Sequence, residues 1–363
     1  MGGFRVPTLR RITLRPFRLP LRGALRWGRA SELEALEHLL LEVELSDGSV
    51  GRAEIPPRPT IYGETPATVR AALEYLTPRL LGLEVDDTEA IQGVLQGFPN
   101  HLTLKGGLDI ALWEAWARSE GQELWQVLEP HHPRVRVSYI LGIAEEAEML
   151  ADAQAAYQAG VRVFKVKVGR DLEGDLARIA ALQEHLPDAA LYADANETLS
   201  PQNAEAYLRR WAEAGLMYVE EPLPVAEVLA RRRLRQLGLL PLIADDSAFT
   251  LRDLWREVQL ETFDILNIKP ARSGYTQSLE MLALARSEGK RVMVGSQALS
   301  SFGAYQTALL AFQEGVSEPC ELAFHLKAQG GFCPFPPFKE GWLYWEDLKG
   351  CGFDPEAFEC YAL

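Results

Sequence analysis

Cysteine is scarce in this chain of 363 residues. The four present, Cys320, Cys333, Cys351 and Cys360, all fall in the last fifth and show no C-x-x-C spacing. That excludes a disulfide scaffold or zinc site of the usual spacing, and free thiols in a reducing cytoplasm are expected. No run reaches the roughly 18 apolar residues that a membrane span requires. The basic start, MGGFRVPTLRRITLRPFRLP, lacks the continuous apolar core of a secretion signal, so a cytoplasmic protein without a membrane partner is expected. Positive charge is in deficit: 37 Lys and Arg against 51 Asp and Glu give a formal net charge of −14. A surface for nucleic acid wants the opposite, so no nucleic-acid partner is expected. The six histidines show no metal-ligand spacing, and no glycine-rich phosphate loop follows the first strand pattern.

What is present is an ordinary soluble composition, 47% apolar and 24% charged, in a chain long enough for about two domains. Residues 1–130 read as an α+β segment. FRVPTLRRITLRPF and HLLLEVELSDGSVGRAEI have strand character, with a turn at Asp47-Gly48. Helices follow over Pro66–Leu80, opened by Thr65 and Pro66, and along GGLDIALWEAWARSEGQ, with Gly121 as the stop. Over residues 131–330 the pattern alternates. Strands are expected at Val135–Gly142, Val161–Val168, Ala190–Asp194, Leu216–Glu220, Leu240–Asp245, Phe263–Lys269, Arg291–Gly295 and Cys320–Phe324, with helical stretches between them. Eight short strands alternating with seven helices predict a (β/α) barrel. The tail, residues 331–363, is rich in Pro, Gly and aromatics and is expected to leave the barrel and pack on the first domain.

Along this alternation runs a ladder of charge. Lys165 and Lys167 lie in VFKVKVG, Asp194 in ALYADAN, Glu220 in LMYVEEP, Asp245 in PLIADDS and Lys269 in ILNIKPA. Steps from Lys167 are 27, 26, 25 and 24 residues, each about one strand-plus-helix unit. In a barrel strand the apolar face packs on the helices, which turns Lys165 and Lys167 inward. Mutual repulsion and desolvation are expected to lower their pKa values, so that a neutral amine can act as a base. The acids end their strands at the face where barrel enzymes work. One such Asp is well explained as a helix cap. Three on consecutive strands suit a hard cation, Mg²⁺ or Mn²⁺. Residue pattern alone leaves Glu220 or Glu221, and Asp245 or Asp246, as the inward member. Lys269 comes four strands after Lys167, half of an eight-stranded circumference, so the two ammonium groups face each other. Ser296 and Gln297 end the seventh strand as candidate substrate contacts. Arg22–Ser31, read as a loop, carries Arg26 and Trp27 as candidate lid residues.

Together K-x-K (Lys165, Lys167), D-x-N (Asp194, Asn196), E-E-P (Glu220 to Pro222), A-D-D-S (Ala244 to Ser247) and Lys269 resemble the enolase superfamily, in its muconate-lactonising subgroup. The resemblance spans essentially the whole chain. It implies a (β/α)7β barrel, a modified TIM barrel, under an N-terminal α+β capping domain. It also implies Mg²⁺ on Asp194, Glu220 and Asp245, with Lys167 and Lys269 as the acid/base pair, Lys165 in support and Asn196 near the substrate. The chemistry implied is isomerisation of a small carboxylic acid through a metal-stabilised enediolate: racemisation, epimerisation or cycloisomerisation of N-acyl amino acids or muconate-type diacids. Dehydration of a β-hydroxy acid, similar to o-succinylbenzoate synthase, is the alternative. A homo-oligomer, dimer or octamer, is also implied. Glu321-Leu322-Ala323 stands where the subgroup's dipeptide epimerases carry Asp-x-Asp, and Asp246 stands where Glu is more usual.

Overall fold

The structure, a computed structural model, describes residues 6–363. Phe4 and Arg5 of the first expected strand, and the first residues of the basic start, lie outside the described residues. Strand β1 (Leu9–Trp27) and strand β2 (Ser31–Leu45) form one long antiparallel hairpin, paired from Leu9–Leu45 to Trp27–Ser31. Strand β3 (Val50–Ile55) adds to β2 through the Asp47-Gly48 turn, where Gly48 adopts φ 91° and the Asp47 carboxylate accepts from the Ser49 N–H at 2.9 Å. The helix Pro66–Leu80 starts as its sequence predicts, with Thr65 and Thr68 capping each other. The helix Leu102–Ser119 crosses β3 so closely at Gly51 that any Cβ there would meet the Ala111 and Ala115 backbone.

The second unit begins with β4 (Arg134–Arg136). Seven parallel strands then follow in sequence order: β5 (Ser138–Leu141), β6 (Val163–Lys167), β7 (Ala190–Asp194), β8 (Val219–Glu220), β9 (Leu242–Ala244), β10 (Ile265–Ile268) and β11 (Arg291–Val294). A parallel bridge between Val137 and Cys320 closes the ring, with Glu321 N–H donating to Val294 O at 2.9 Å. This is a (β/α)7β barrel beneath an antiparallel capping domain. The eighth strand is shorter than expected. Pro319 supplies no N–H, Leu322 N–H turns back to Cys320 O at 2.9 Å, and Phe324–Lys327 winds into a 3₁₀ turn. The expected strand Val135–Gly142 divides into β4, which pairs antiparallel with β12 (Trp342–Tyr344), and β5, which enters the barrel. The final residues run beside β1, with Arg18 N–H donating to Tyr361 O at 3.0 Å and Phe358 packed edge-on to Phe17.

Strand parity places the site. Val163, Tyr192, Tyr218, Ile243, Ile265 and Met293 form a closed apolar layer, separate from the core between strands and helices. A side chain two residues further along each strand has the same facing. That step leads from Val163 to Lys165, from Tyr192 to Asp194, from Tyr218 to Glu220, from Ile243 to Asp245 and from Ile265 to Asn267. The charged ladder therefore lies one storey above a dry floor whose residues each contribute about 1.5–3 kcal/mol by burial.

Candidate active site

Parity settles both tandem acids. Glu220 faces the barrel axis, where it accepts from Lys165 Nζ at 2.6 Å and from Asn267 Nδ2 at 3.1 Å. Glu221, at φ 35°, turns outward to accept from the Asp245 and Ser247 N–H groups and the Ser247 hydroxyl, with Arg231 3.7 Å away. Asp245 faces inward and pairs with Lys269 and, at 2.9 Å, with Arg272. Asp194 accepts from Lys167 Nζ at 2.6 Å and lies 3.1 Å from Lys165 Nζ. Lys167 also donates to Asn196 Oδ1 at 3.0 Å. β6 and β10 are separated by three strands along the sheet and by β5, Cys320 and β11 the other way, so Lys167 and Lys269 project from opposite walls.

A cavity of about 60 Å³ lies between them. It is lined by Arg58, Lys165, Lys167, Asp194, Asn196, Asp245, Asp246, Lys269, Ser296, Gln297 and Glu321, with Leu25, Trp27, Ile61, Ile140 and Ala298 as its apolar part. The hairpin tip forms the roof. Contrary to the loop expected for Arg22–Ser31, β1 continues to Trp27, and only residues 28–30 turn. Strand geometry sends neighbouring side chains opposite ways. Trp27 lines the cavity, while Arg26 points to the surface and pairs with Glu32 at 2.8 Å, outside the lining.

Four carboxylates, Asp194, Glu220, Asp245 and Glu321, meet four cations, Lys165, Lys167, Lys269 and Arg272, but share them unevenly. Glu321, on the closing strand, accepts from Lys165 Nζ at 2.7 Å and from Ser296 N–H at 2.8 Å, so Lys165 alone contacts three carboxylates. Burial and the surrounding Asp194, Asp245 and Glu321 carboxylates push the Glu220 carboxyl well above its ordinary range. Lys165 and Lys269 pull Asp194 and Asp245 down, though burial alone would raise both. The lowering expected for Lys165 is reversed: burial does act downward on it, and on Lys269, but their carboxylate partners outweigh it and both of these ammonium groups are held protonated.

Glu321, Arg272, Asn267 and Arg58 belong to the site and were not among the expected residues. Glu321 was within reach of the spacing, since 321 − 269 = 52, two further steps of 26. The seventh strand carries no charged rung, since the position two past Met293 is Gly295, and that gap concealed it.

Mg²⁺ fits these donors. Asp194, Glu220 and Asp245 bring carboxylates from three consecutive strands. Asp245 Oδ1 is buried without a directed hydrogen bond, although Arg272 Nη1 is 2.9 Å away. In the arrangement seen, the acids turn onto the ammonium groups. Among the described residues, no three His, Cys, Asp or Glu side chains are already gathered around one point.

Comparison with known proteins gives consistent findings. Residues 148–358 match the family described as Enolase C-terminal domain-like, and residues 28–128 match the Mandelate racemase / muconate lactonizing enzyme, N-terminal domain. The N-succinylamino acid racemase of Thermus thermophilus is 30% identical over 315 residues, covering 85% of this chain and 84% of that protein. A muconate lactonizing enzyme from Mycobacterium smegmatis, solved with muconolactone, superposes with a TM-score of 0.91 at 32% identity, over 98% of this chain and 100% of the other. A dipeptide epimerase from Enterococcus faecalis, solved with Mg and L-Leu-L-Tyr, shares the fold at TM-score 0.86 and 23% identity, over 95% and 99% of the chains. Among the described residues no helix is long and apolar enough to cross a membrane. With both halves matched, the chain belongs to the mandelate racemase / muconate lactonizing enzyme family, an isomerase family of the enolase superfamily.

Proposed function

We propose that this protein is an isomerase that removes and returns a proton on the carbon α to a substrate carboxylate. The observation that carries this is the pair Lys167 and Lys269, projecting from opposite walls of one cavity that also holds carboxylates from several strands. A carbon held between them presents one face to each Nζ. One lysine takes the proton and the other delivers it, which inverts the centre or completes a cyclisation. Asp194, Glu220 and Asp245 would hold Mg²⁺, and the bound ion would supply the positive charge that stabilises a developing enediolate, the arrangement in which enolase-type sites use a lysine base.

Each residue has a definite task. Lys165 is fixed by three acids and serves as a stationary positive charge, not as a proton carrier. Asn196 Oδ1 orients Lys167, and the apolar floor beneath both lysines keeps water from the reacting carbon. A carboxylate engaged with a cation no longer serves as the counter-ion that keeps Lys269 protonated. The cavity of about 60 Å³ is small against the roughly 300 Å³ and more of typical ligand pockets. Admission of a substrate therefore requires the tip at residues 28–30 to lift. That tip is tied down by Arg170 Nε donating to Gly28 O at 2.7 Å and Ile143 N–H donating to Arg26 O at 2.8 Å.

Among substrate classes, N-acyl amino acids and lactone-forming acids are favoured over free dipeptides. Glu321 is already engaged by Lys165 and Ser296, and Ala323 offers no second acid for an ammonium group. The test is exchange of the α-proton in D₂O with Mg²⁺ across N-acyl amino acids, dipeptides and a muconate. Exchange with at least one N-acyl amino acid or lactone-forming acid, abolished in the Lys167→Ala/Lys269→Ala double variant, is expected. Absence of exchange across the panel, or exchange that survives the double substitution, overturns the reading. Loss of water from a β-hydroxy acid would select the dehydratase alternative with the same lysines.

A further inference from the structure

A second buried charge cluster runs between the capping domain and the barrel, and its Arg58 reaches the edge of the cavity between the lysines. Glu54 on β3 accepts from His38 Nδ1 at 2.5 Å, from the Ser300 hydroxyl at 2.5 Å, and from the Ser300 and Gly303 N–H groups at 3.1 Å. It thereby caps the barrel helix Ser301–Ala311 from another domain. His38 Nε2 meets Arg58 Nη1 at 2.9 Å. Guanidinium only donates, so Nε2 is the acceptor and Nδ1 carries the proton. His38 is therefore neutral, consistent with burial and Arg58 lowering its pKa to about 4.

The other end of Arg58 grips the barrel. Nη2 donates to Gln297 O at 2.5 Å and to Ala298 O at 3.0 Å, while Nη1 also donates to Pro57 O at 2.8 Å. Ala298 adopts φ 57°, a conformation that costs a residue with a Cβ on the order of 1 kcal/mol and persists only where its surroundings impose it. Tyr62, one turn beyond Arg58 in the capping domain, receives a hydrogen bond from the Gln297 side chain. Ser296, Gln297 and Ala298 all line the cavity between the lysines.

We propose that Arg58, oriented by the Glu54–His38 pair, is a positioning residue that sets the substrate pocket's wall by clamping the carbonyls of Gln297 and Ala298. Selectivity among substrates then depends on a hold from the cap onto the barrel as well as on groups that touch the substrate. Arg58 acts through this segment, not on the reacting atoms. The proposal rests on that cavity being the substrate pocket.

Arg58→Lys is the discriminating variant, since it keeps a cation but cannot fork to two carbonyls. His38→Gln is the conservative control, able to donate to Glu54 and accept from Arg58. Tyr62→Phe removes the second hold without leaving a buried charge unpaired. In the full-length protein, peptide-resolved hydrogen exchange over residues 296–303 is read beside steady-state α-proton exchange on two substrates of different side-chain size. For Arg58→Lys, exchange in that segment is expected to quicken about tenfold or more. KM should rise about tenfold with kcat within about threefold, and the ratio of kcat/KM for the two substrates should change. Tyr62→Phe should move in the same direction by less, and His38→Gln should stay near wild type.

Unchanged exchange in residues 296–303 of Arg58→Lys overturns the clamp, whatever the kinetics. Should that variant not fold, unchanged exchange in Tyr62→Phe does so. A loosened segment with unaltered KM and ratio overturns the link to selectivity, as does a fall in kcat at constant KM, which would place Arg58 in the chemistry itself. If the wild-type protein turns over no substrate, the proposed function fails, and hydrogen exchange still decides whether the clamp exists.

Discussion

Two buried charge clusters can be compared. In the Glu54–His38–Arg58 cluster, one carboxylate faces one guanidinium through a neutral imidazole, and the groups that meet are matched donor to acceptor. In the barrel mouth, four carboxylates (Asp194, Glu220, Asp245, Glu321) crowd onto Lys165 and its neighbours. There Glu220 is driven towards its protonated form and Asp245 Oδ1 lacks a directed hydrogen bond. Burial is nearly complete in both, so burial does not distinguish them; how evenly the charges are shared does. An evenly paired cluster holds cap to barrel, whereas an unevenly shared one is where, on the proposed reading, a cation would take over some of the acids.

The largest effect expected tests the mouth. Lys167→Ala or Lys269→Ala should each lower kcat for α-proton exchange by about 10³-fold, within the 10²–10⁴ typical of a positioned acid or base. Circular dichroism should show both variants folded. Loss of comparable size from Lys165→Ala together with unfolding would show that the three-acid contact is structural as well.

Next in size is a contrast of sign. Glu54→Gln removes the charged acceptor of a matched cluster and should destabilise the protein by about 3 kcal/mol in urea unfolding. Glu220→Gln removes one acid from the crowded cluster and should be neutral or stabilising by about 1 kcal/mol in metal-free buffer. Equal destabilisation by both would erase the distinction.

Mg²⁺ sharpens it further. At a hundredfold excess over Kd the ion should stabilise the wild-type protein by about 2.7 kcal/mol. The same increment should persist in His38→Gln and vanish in Asp245→Asn, as read by melting temperature.

The smallest effect concerns pH. Burial and Arg58 hold the folded-state pKa of His38 at about 4, below its ordinary 6.5, so the folded state favours the neutral ring. Its contribution is complete above pH 6.5 and declines as pH falls towards 4. Glu54, also depressed, by His38 and Ser300, loses its contribution in the same acidic direction. Unfolding in urea at pH 7 and at pH 5 should show a steeper decline for wild type than for His38→Gln.

The mouth was far more legible in the sequence than the clamp. The ladder could be read because each rung ends a short apolar run at the repeat of a strand-helix unit, from Lys167 through Lys269. Whether Glu220 or Glu221 faced inward required parity with Tyr218, and that depends on the floor layer which the structure supplies. Arg26 departs from its expected place because a strand continues where the sequence suggests a loop, and alternation then sends Trp27 inward and Arg26 out. His38, Glu54 and Arg58 carry no periodic mark. Arg58 meets the Gln297–Ala298 carbonyls only through tertiary contact across some 240 residues of chain. The opposed lysines follow from strand count, but the protonation of Lys269 follows from contacts that spacing cannot report.

Isothermal titration of Mg²⁺ into the metal-free protein, wild type beside Glu220→Gln, tests the crowded mouth most directly. One ion per chain in the wild type and none in Glu220→Gln is the expected result. A wild-type protein that takes up no ion, or a Glu220→Gln protein that binds it equally well, would contradict the assignment of these acids to a cation.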